Sequence, residues 1–107
     1  MKDILDSALV KAVQASDQYY ADVLGGQDQM MCGFAWVVVY GVRVNSKVGK
    51  ELKAVGFRRN NFEGGLVFWN PAGYLGQNVD AKLEGAREYA KVLRDAGFDA
   101  KAFSRLD

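Results

Sequence analysis

Apolar residues along the chain keep two different periods, and each change of period marks an element. From Asp3 to Leu24 they recur at helical spacing, as Leu5, Leu9, Ala12 or Val13, Tyr19 or Tyr20, and Val23. That spacing predicts an amphipathic helix. Asp3 is placed to cap its start and Gly25-Gly26 to end it. A polar loop, Gln27-Asp28-Gln29, leads through Met30-Met31-Cys32-Gly33 into the most apolar run of the chain, Phe34 to Tyr40. This run is β-branched and aromatic and too short to cross a membrane, so it reads as a central strand. Ala35, Val37 and Val39 point to one face of it, and Phe34, Trp36, Val38 and Tyr40 to the other. Helices pack well on the smaller side. The aromatic side has to be covered or has to bind something.

After Gly41 to Asn45, either Asn45 or Ser46 caps a second helix with Val48, Leu52 and Val55 on its stripe, stopped by Gly56. Phe57 to Asn60 reads as a short strand and Asn61 to Gly65 as a turn. Leu66 to Asn70 is a second apolar strand, which Pro71 ends. Past a loop from Pro71 to Asn78, either Asn78 or Asp80 caps a third helix with Val79, Leu83, Ala86, Ala90 and Leu93 on one stripe. Gly97 ends it, Phe98 to Ser104 is the last strand, and Arg105-Leu106-Asp107 closes the chain.

One turn is used twice. Lys50 to Phe57 aligns with Lys91 to Phe98, each a helix ending in glycine followed by phenylalanine. In such a cap the phenylalanine folds back onto the residue five before it, Leu52 or Leu93. Two strand–helix–strand units after a leading helix give an α+β fold: a ferredoxin-like βαββαβ sandwich, an antiparallel sheet of order 4-1-3-2 with an extra N-terminal helix. The two most apolar strands then lie in the centre. The outer strands carry Arg58, Arg59, Asp99 and Lys101, charges that suit sheet edges. The expected organisation is a single domain over 1–107, with a leading helix in 1–26 and the core in 32–107. A different α+β meander of the same elements is the alternative.

Composition narrows the chemistry. With 107 residues, half of them apolar and a quarter charged, the chain can bury a core without staples. A net charge of +1 supplies no global field toward nucleic acid or membrane. There is no histidine and one cysteine, Cys32, so there is no Ser-His or Cys-His pair, no internal disulfide and no Cys-x-x-Cys site. Cys32 reads as a packed thiol rather than a nucleophile. No carboxylates cluster at metal-ligand spacing. The expectation is no catalytic group, no metal and no cofactor. Met1-Lys2-Asp3-Ile4 lacks a signal-peptide pattern, and with a lone thiol this points to a cytoplasmic setting away from membranes.

Three places can carry binding. One end of the sheet gathers Cys32, Asn70, Gln77, Asn78, Ser104, Arg105 and Asp107, where the amides of Asn78 to Ala81 and the Arg105 guanidinium suit a small anion or nucleotide. The bland reading is a strand stop, a helix cap and a solvated tail. The opposite end has Arg43, Lys47, Lys50, Arg58 and Arg59 with Asn60 and Asn61, suited to phosphates; Glu51 and Glu63 interrupt it, and solvated surface is the simpler account. The third place is the aromatic sheet face, with Trp36, Tyr40 and, from the edge strand, Lys101, Phe103 and Arg105; Trp69, near the end of the second apolar strand, is a further binding candidate. There the expectation is that the leading helix folds over the face, Leu5, Leu9, Tyr19 and Tyr20 meeting Trp36 and Tyr40, or that the face forms a homodimer.

Aromatic residues on such a sheet resemble the RNA-recognition motif, where bases stack on the central strands. Gly64 to Trp69 has glycine and aromatic residues near the right places, but Glu63 stands where that family has a basic residue. Tyr40-Gly41-Val42-Arg43 resembles the acylphosphatase loop without its glutamine segment, so no catalysis is carried over. The segments Cys32-Gly33-Phe34-Ala35-Trp36-Val37, Trp69-Asn70-Pro71, Gln77-Asn78-Val79-Asp80 and Ser104-Arg105-Leu106-Asp107 together resemble a family of small proteins of tailed bacteriophages, over Cys32 to Asp107. That resemblance implies a setting, the cytoplasm of an infected bacterium, and no mechanism. The expected function is a non-enzymatic accessory protein that binds a host or phage protein, as a homodimer in one version. Single-stranded nucleic-acid binding through the aromatic face and anion binding at the Asn70, Asn78 and Arg105 end are the alternatives.

Overall fold

The computed structural model describes residues 1–28, 31–60 and 64–107. Gln29 and Met30 of the first loop, and Asn61, Phe62 and Glu63 of the turn, lie outside the described residues. The element order is α1 (Lys2–Asp22), β1 (Gly33–Tyr40), α2 (Lys47–Val55), β2 (Arg58–Asn60), β3 (Gly65–Trp69), α3 (Val79–Asp95) and β4 (Asp99–Leu106). The protein is thus α+β, with three helices and one four-stranded sheet whose neighbouring strands are all antiparallel. The strands lie in the order β2-β3-β1-β4, with β1 and β3 in the centre. No helix among the described residues is long and apolar enough to cross a membrane.

The local chemistry explains the helix ends. Ser46 accepts from the Gly49 amide and Asn78 from the Ala81 amide, each side chain satisfying a donor that a first helical turn leaves open. The repeated C-terminal turn forms in both places. The Phe57 amide donates to the Leu52 carbonyl at 3.1 Å and the Phe98 amide to the Leu93 carbonyl at 3.0 Å, across Gly56 and Gly97 at positive φ. At α1 the expectation is corrected: Met1 holds the N-cap position, without a side-chain bond, in place of Asp3.

Ala35, Val37, Val39, Leu66 and Ala100 on one sheet face meet Leu52 of α2, Ala86, Tyr89, Ala90 and Leu93 of α3, and Leu5, Ala8 and Ala12 of α1. All three helices therefore contribute to the core on the same side. The leading helix does not fold over the aromatic face; it packs along α3. Its buried stripe is Leu5, Ala8, Ala12 and Ser16, while Leu9, Val13 and Tyr20 stay exposed. Small side chains decide this. Ala12 and Ser16 of α1 meet Gly85 of α3, and the Ser16 hydroxyl donates to the Ala81 carbonyl at 2.7 Å. Two helices that meet through small residues approach closely and form many dispersion contacts, which larger side chains would hold apart.

An aromatic sheet face as the candidate functional site

Every second residue of each strand points away from the helices, and the register lines these residues up. Trp36 is paired with Trp69 of β3 on one side and with Phe103 of β4 on the other. The Trp36 ring lies 4.7 Å from that of Trp69, with planes 37° apart, and 6.0 Å from that of Phe103, with planes 24° apart. Phe34 meets Trp69 edge-on at 6.1 Å. Val38 and Val67 form a buried floor beside this row, with Tyr40 and Phe103 packed against it. Trp36 is only 8% exposed, whereas Trp69 is 47% and Phe34 40% exposed. The most exposed rings are therefore Trp69 and Phe34, with Tyr40 and Phe103 half-buried beside them and Trp36 as their support. The Trp36 Nε1–H is buried without an acceptor among the described residues, an arrangement that costs about 1–3 kcal/mol.

Cations surround the rings. Arg105 lies 5.6 Å and Lys82 5.8 Å from the Phe34 ring centre, and Lys101 lies 5.8 Å from that of Tyr40. The Lys82 ammonium also donates to the Gly33 carbonyl at 2.9 Å, where β1 runs on past the end of β3. Among the described strand residues, Asp99, opposite Tyr40, is the acid that shares this face with them. Arg58 has the register of the same face, but its guanidinium donates to the Lys53 and Phe57 carbonyls and closes the end of α2.

Of the eight candidate residues, the fold brings Trp36, Tyr40, Trp69, Phe103 and Arg105 together. Asn70, Gln77 and Asn78 lie off this face; their backbone groups bond within the chain, while the Asn70 Oδ1 is buried without a partner among the described residues. Asn70 ends β3 at a φ of 46°, its amide donating to Ala35 and its side-chain nitrogen to the Tyr74 carbonyl. The Gln77 carbonyl accepts from the Gly33 amide. The Gln77 and Asn78 amides donate to the Asp28 carboxylate at 2.7 and 3.2 Å, and the Tyr74 hydroxyl donates to it at 2.6 Å. The Val79 amide donates to the Met31 carbonyl. These bonds, led by that from Tyr74, hold the Asp28 carboxyl below its ordinary pKa. The sheet end is therefore assembled as a group: Cys32 bridges to Asn78, the Asp107 amide donates to the Cys32 carbonyl, Arg105 lies over Phe34, and the Asp28 carboxylate is the anion that the Gln77 and Asn78 amides meet.

Phe34 and Lys82 join the site without having been marked as candidates. Phe34 was legible, since it alternates with Trp36. Lys82 was not, because only the offset between β1 and β3 brings a helix lysine to the sheet end. Asp28 read as an ordinary loop acid. A separate cleft of about 500 Å³ lies between α1 and the loop after β3, lined by Val13, Tyr20, Tyr74 and Leu75 together with Asp17 and Asp28.

Fold and face together define a class: a small α+β domain with its helices on one side of the sheet and an uncovered aromatic surface, rimmed by cations, on the other. Comparison with protein-family models, curated proteins and solved structures returns no match.

Proposed function

We propose that this chain is a non-enzymatic binding module that works through the open sheet face, against a protein partner of the host or the phage. The observation that carries the proposal is the packing of α1 on α3, which leaves Trp69 and Phe34 exposed beside Arg105. Tryptophan and arginine are the residues that most often dominate protein interfaces, and an aromatic ring buries roughly 150–250 Å² when covered. The setting we propose, an accessory protein in the cytoplasm of an infected bacterium, rests on the four sequence segments alone. We assign the core to the ferredoxin-like class; four antiparallel strands with β1 and β3 central support the assignment, and α1 is an addition to it.

Site-specific photocrosslinking in bacterial cells tests the partner reading. A photoreactive residue at Trp69 is expected to trap one discrete protein adduct, and one at Gln14 on the outer side of α1 none. Equal adducts at both positions, or none at Trp69, would sink it.

Single-stranded nucleic acid is the second reading, favoured by Lys82, Lys101 and Arg105 against Asp99 on the same surface. The enclosure of Trp36 weighs against it, because that ring has no free face for a base. Tryptophan emission that is quenched by oligothymidylate and recovers in high salt would promote this reading above the first.

A further inference from the structure

We infer that the outer edge of β4 is a self-pairing edge, by which two copies of this chain join β4 to β4 antiparallel about a two-fold axis at Ala102 and form one eight-stranded sheet. β4 is a sheet edge eight residues long with no proline, whereas the opposite edge, β2, has three residues. A long edge of this kind is a template for strand addition unless the protein blunts it.

The hydrogen bonding shows which groups face outward. The Asp107 amide donates to the Cys32 carbonyl, and the register pairs Arg105, Phe103, Lys101 and Asp99 with Phe34, Trp36, Val38 and Tyr40. In an antiparallel ladder this directs the backbone groups of the odd-numbered residues toward β1. Those of Ala100, Ala102, Ser104 and Leu106 point outward. Arg94 confirms the direction, since its guanidinium donates to the Ala100 carbonyl at 3.0 Å. Among the described residues, no other bond blunts this edge.

Charge and pairing length together select the register: an axis at Ala100 also sets Asp99 against Lys101, but it leaves Ala102 to Leu106 without strand partners. With the axis at Ala102, Asp99 of one copy stands opposite Arg105 of the other, twice by symmetry, and Lys101 stands opposite Phe103. Ala102 pairs with itself and Ala100 with Ser104, giving roughly six backbone hydrogen bonds between small residues. The Ala100 carbonyl has a second lone pair, so its bond from Arg94 can remain. Moving the axis to Lys101 sets Lys101 against itself, and moving it to Phe103 sets Lys101 against Arg105, both repulsive. Moving it to Ser104 leaves Asp99 and Ala100 without partners. An axis normal to the sheet keeps both aromatic faces on the same side, so the dimer presents them as one surface. The inference stands apart from the partner reading: it is tested with purified protein alone and survives the failure of the crosslinking experiment.

Light scattering on a concentration series is the test. The wild-type chain is expected at twice its 11.8 kDa mass. Asp99→Arg and Arg105→Asp should each weaken the dimer about tenfold or more, because each change strikes both symmetric pairs. The double variant Asp99→Arg/Arg105→Asp should return it to near wild-type strength. Asp99 and Arg105 sit at opposite ends of β4, so this rescue can arise only between copies. A wild-type monomer at the highest concentration reached, single variants that still dimerise, or a double variant that stays monomeric would each overturn the inference. Circular dichroism verifies folding. Should a reversed charge unfold the chain, Asp99→Asn and Arg105→Gln probe the same pair, each weakening the dimer several-fold and together no more than singly.

Discussion

Placing valine at Gly85 tests the contact that uncovers the aromatic face. A β-carbon built at Gly85 falls 2.5 Å from the Ser16 hydroxyl oxygen, 2.6 Å from the Ala72 Cβ and 3.2 Å from the Ala12 carbonyl oxygen. None of these can swing aside cheaply. The Ala72 and Ala12 atoms are fixed by backbone, and the Ser16 hydroxyl is held by its bond to Ala81. Overpacking of this kind costs about 1–3 kcal/mol, before the two further methyl groups of valine are counted. Replacing a helix-interior glycine by valine returns roughly 0.3–0.5 kcal/mol of helix propensity. The net expectation is a loss of about 1–3 kcal/mol, which for a domain of this size lowers Tm by about 4–20 °C. Thermal denaturation followed by circular dichroism measures it. Both tryptophans lie on the other sheet face, so the emission of the native variant should match that of wild type. An unchanged or higher Tm would refute the close α1–α3 contact, and with it the reason the aromatic face is open.

Two further expectations concern the site and the loop beside it. Trp36→Ala should cost about 3–5 kcal/mol as a buried aromatic deletion, and Trp69→Ala much less, since that ring is half exposed. In the same spirit, Trp69→Phe should leave an indole that acrylamide quenches poorly and Trp36→Phe one that it quenches readily; the reverse order would sink the assignment of the exposed ring. Asp28→Asn should lower Tm at neutral pH by weakening its bonds to Tyr74, Gln77 and Asn78. Because the folded protein holds the Asp28 pKa down, its contribution is full above about pH 4 and fades as pH falls through the depressed value. The Tm gap between wild type and variant should therefore close in acid, and a gap that stays constant from neutral pH to pH 3 would refute the role of that carboxylate.

Much of this protein was written locally. The change from helical to alternating period located each strand and helix, and the paired Gly-Phe endings at Gly56-Phe57 and Gly97-Phe98 foretold the same backbone turn twice. Such features depend on residues within one or two turns of each other, and their chemistry is carried by neighbours in the chain. The alternation of Phe34, Trp36, Val38 and Tyr40 also told which side of β1 would be aromatic. Boundaries blurred where the ladder extended past the apolar run, as at Arg105 and Leu106, which read as a tail and pair with Phe34 and Gly33 as the end of β4.

The position of α1 was decided only in three dimensions. Leu9, Val13 and Tyr20 gave that helix an apolar stripe on paper, yet the alanine face won, because Gly85 and Ala81 on α3 offered a groove that admits only small side chains. Hydrophobicity along a sequence measures how much a residue gains from burial; it does not measure how close two backbones can come. The surroundings of Asn78 were likewise decided in three dimensions. A helix start and its amides are visible in the sequence, but the carboxylate that meets them comes from Asp28, far away along the chain. Sequence by itself settled the elements and the aromatic side of the sheet. Tertiary structure settled whether that side is covered, because coverage depends on long-range shape complementarity between helices that no local pattern encodes.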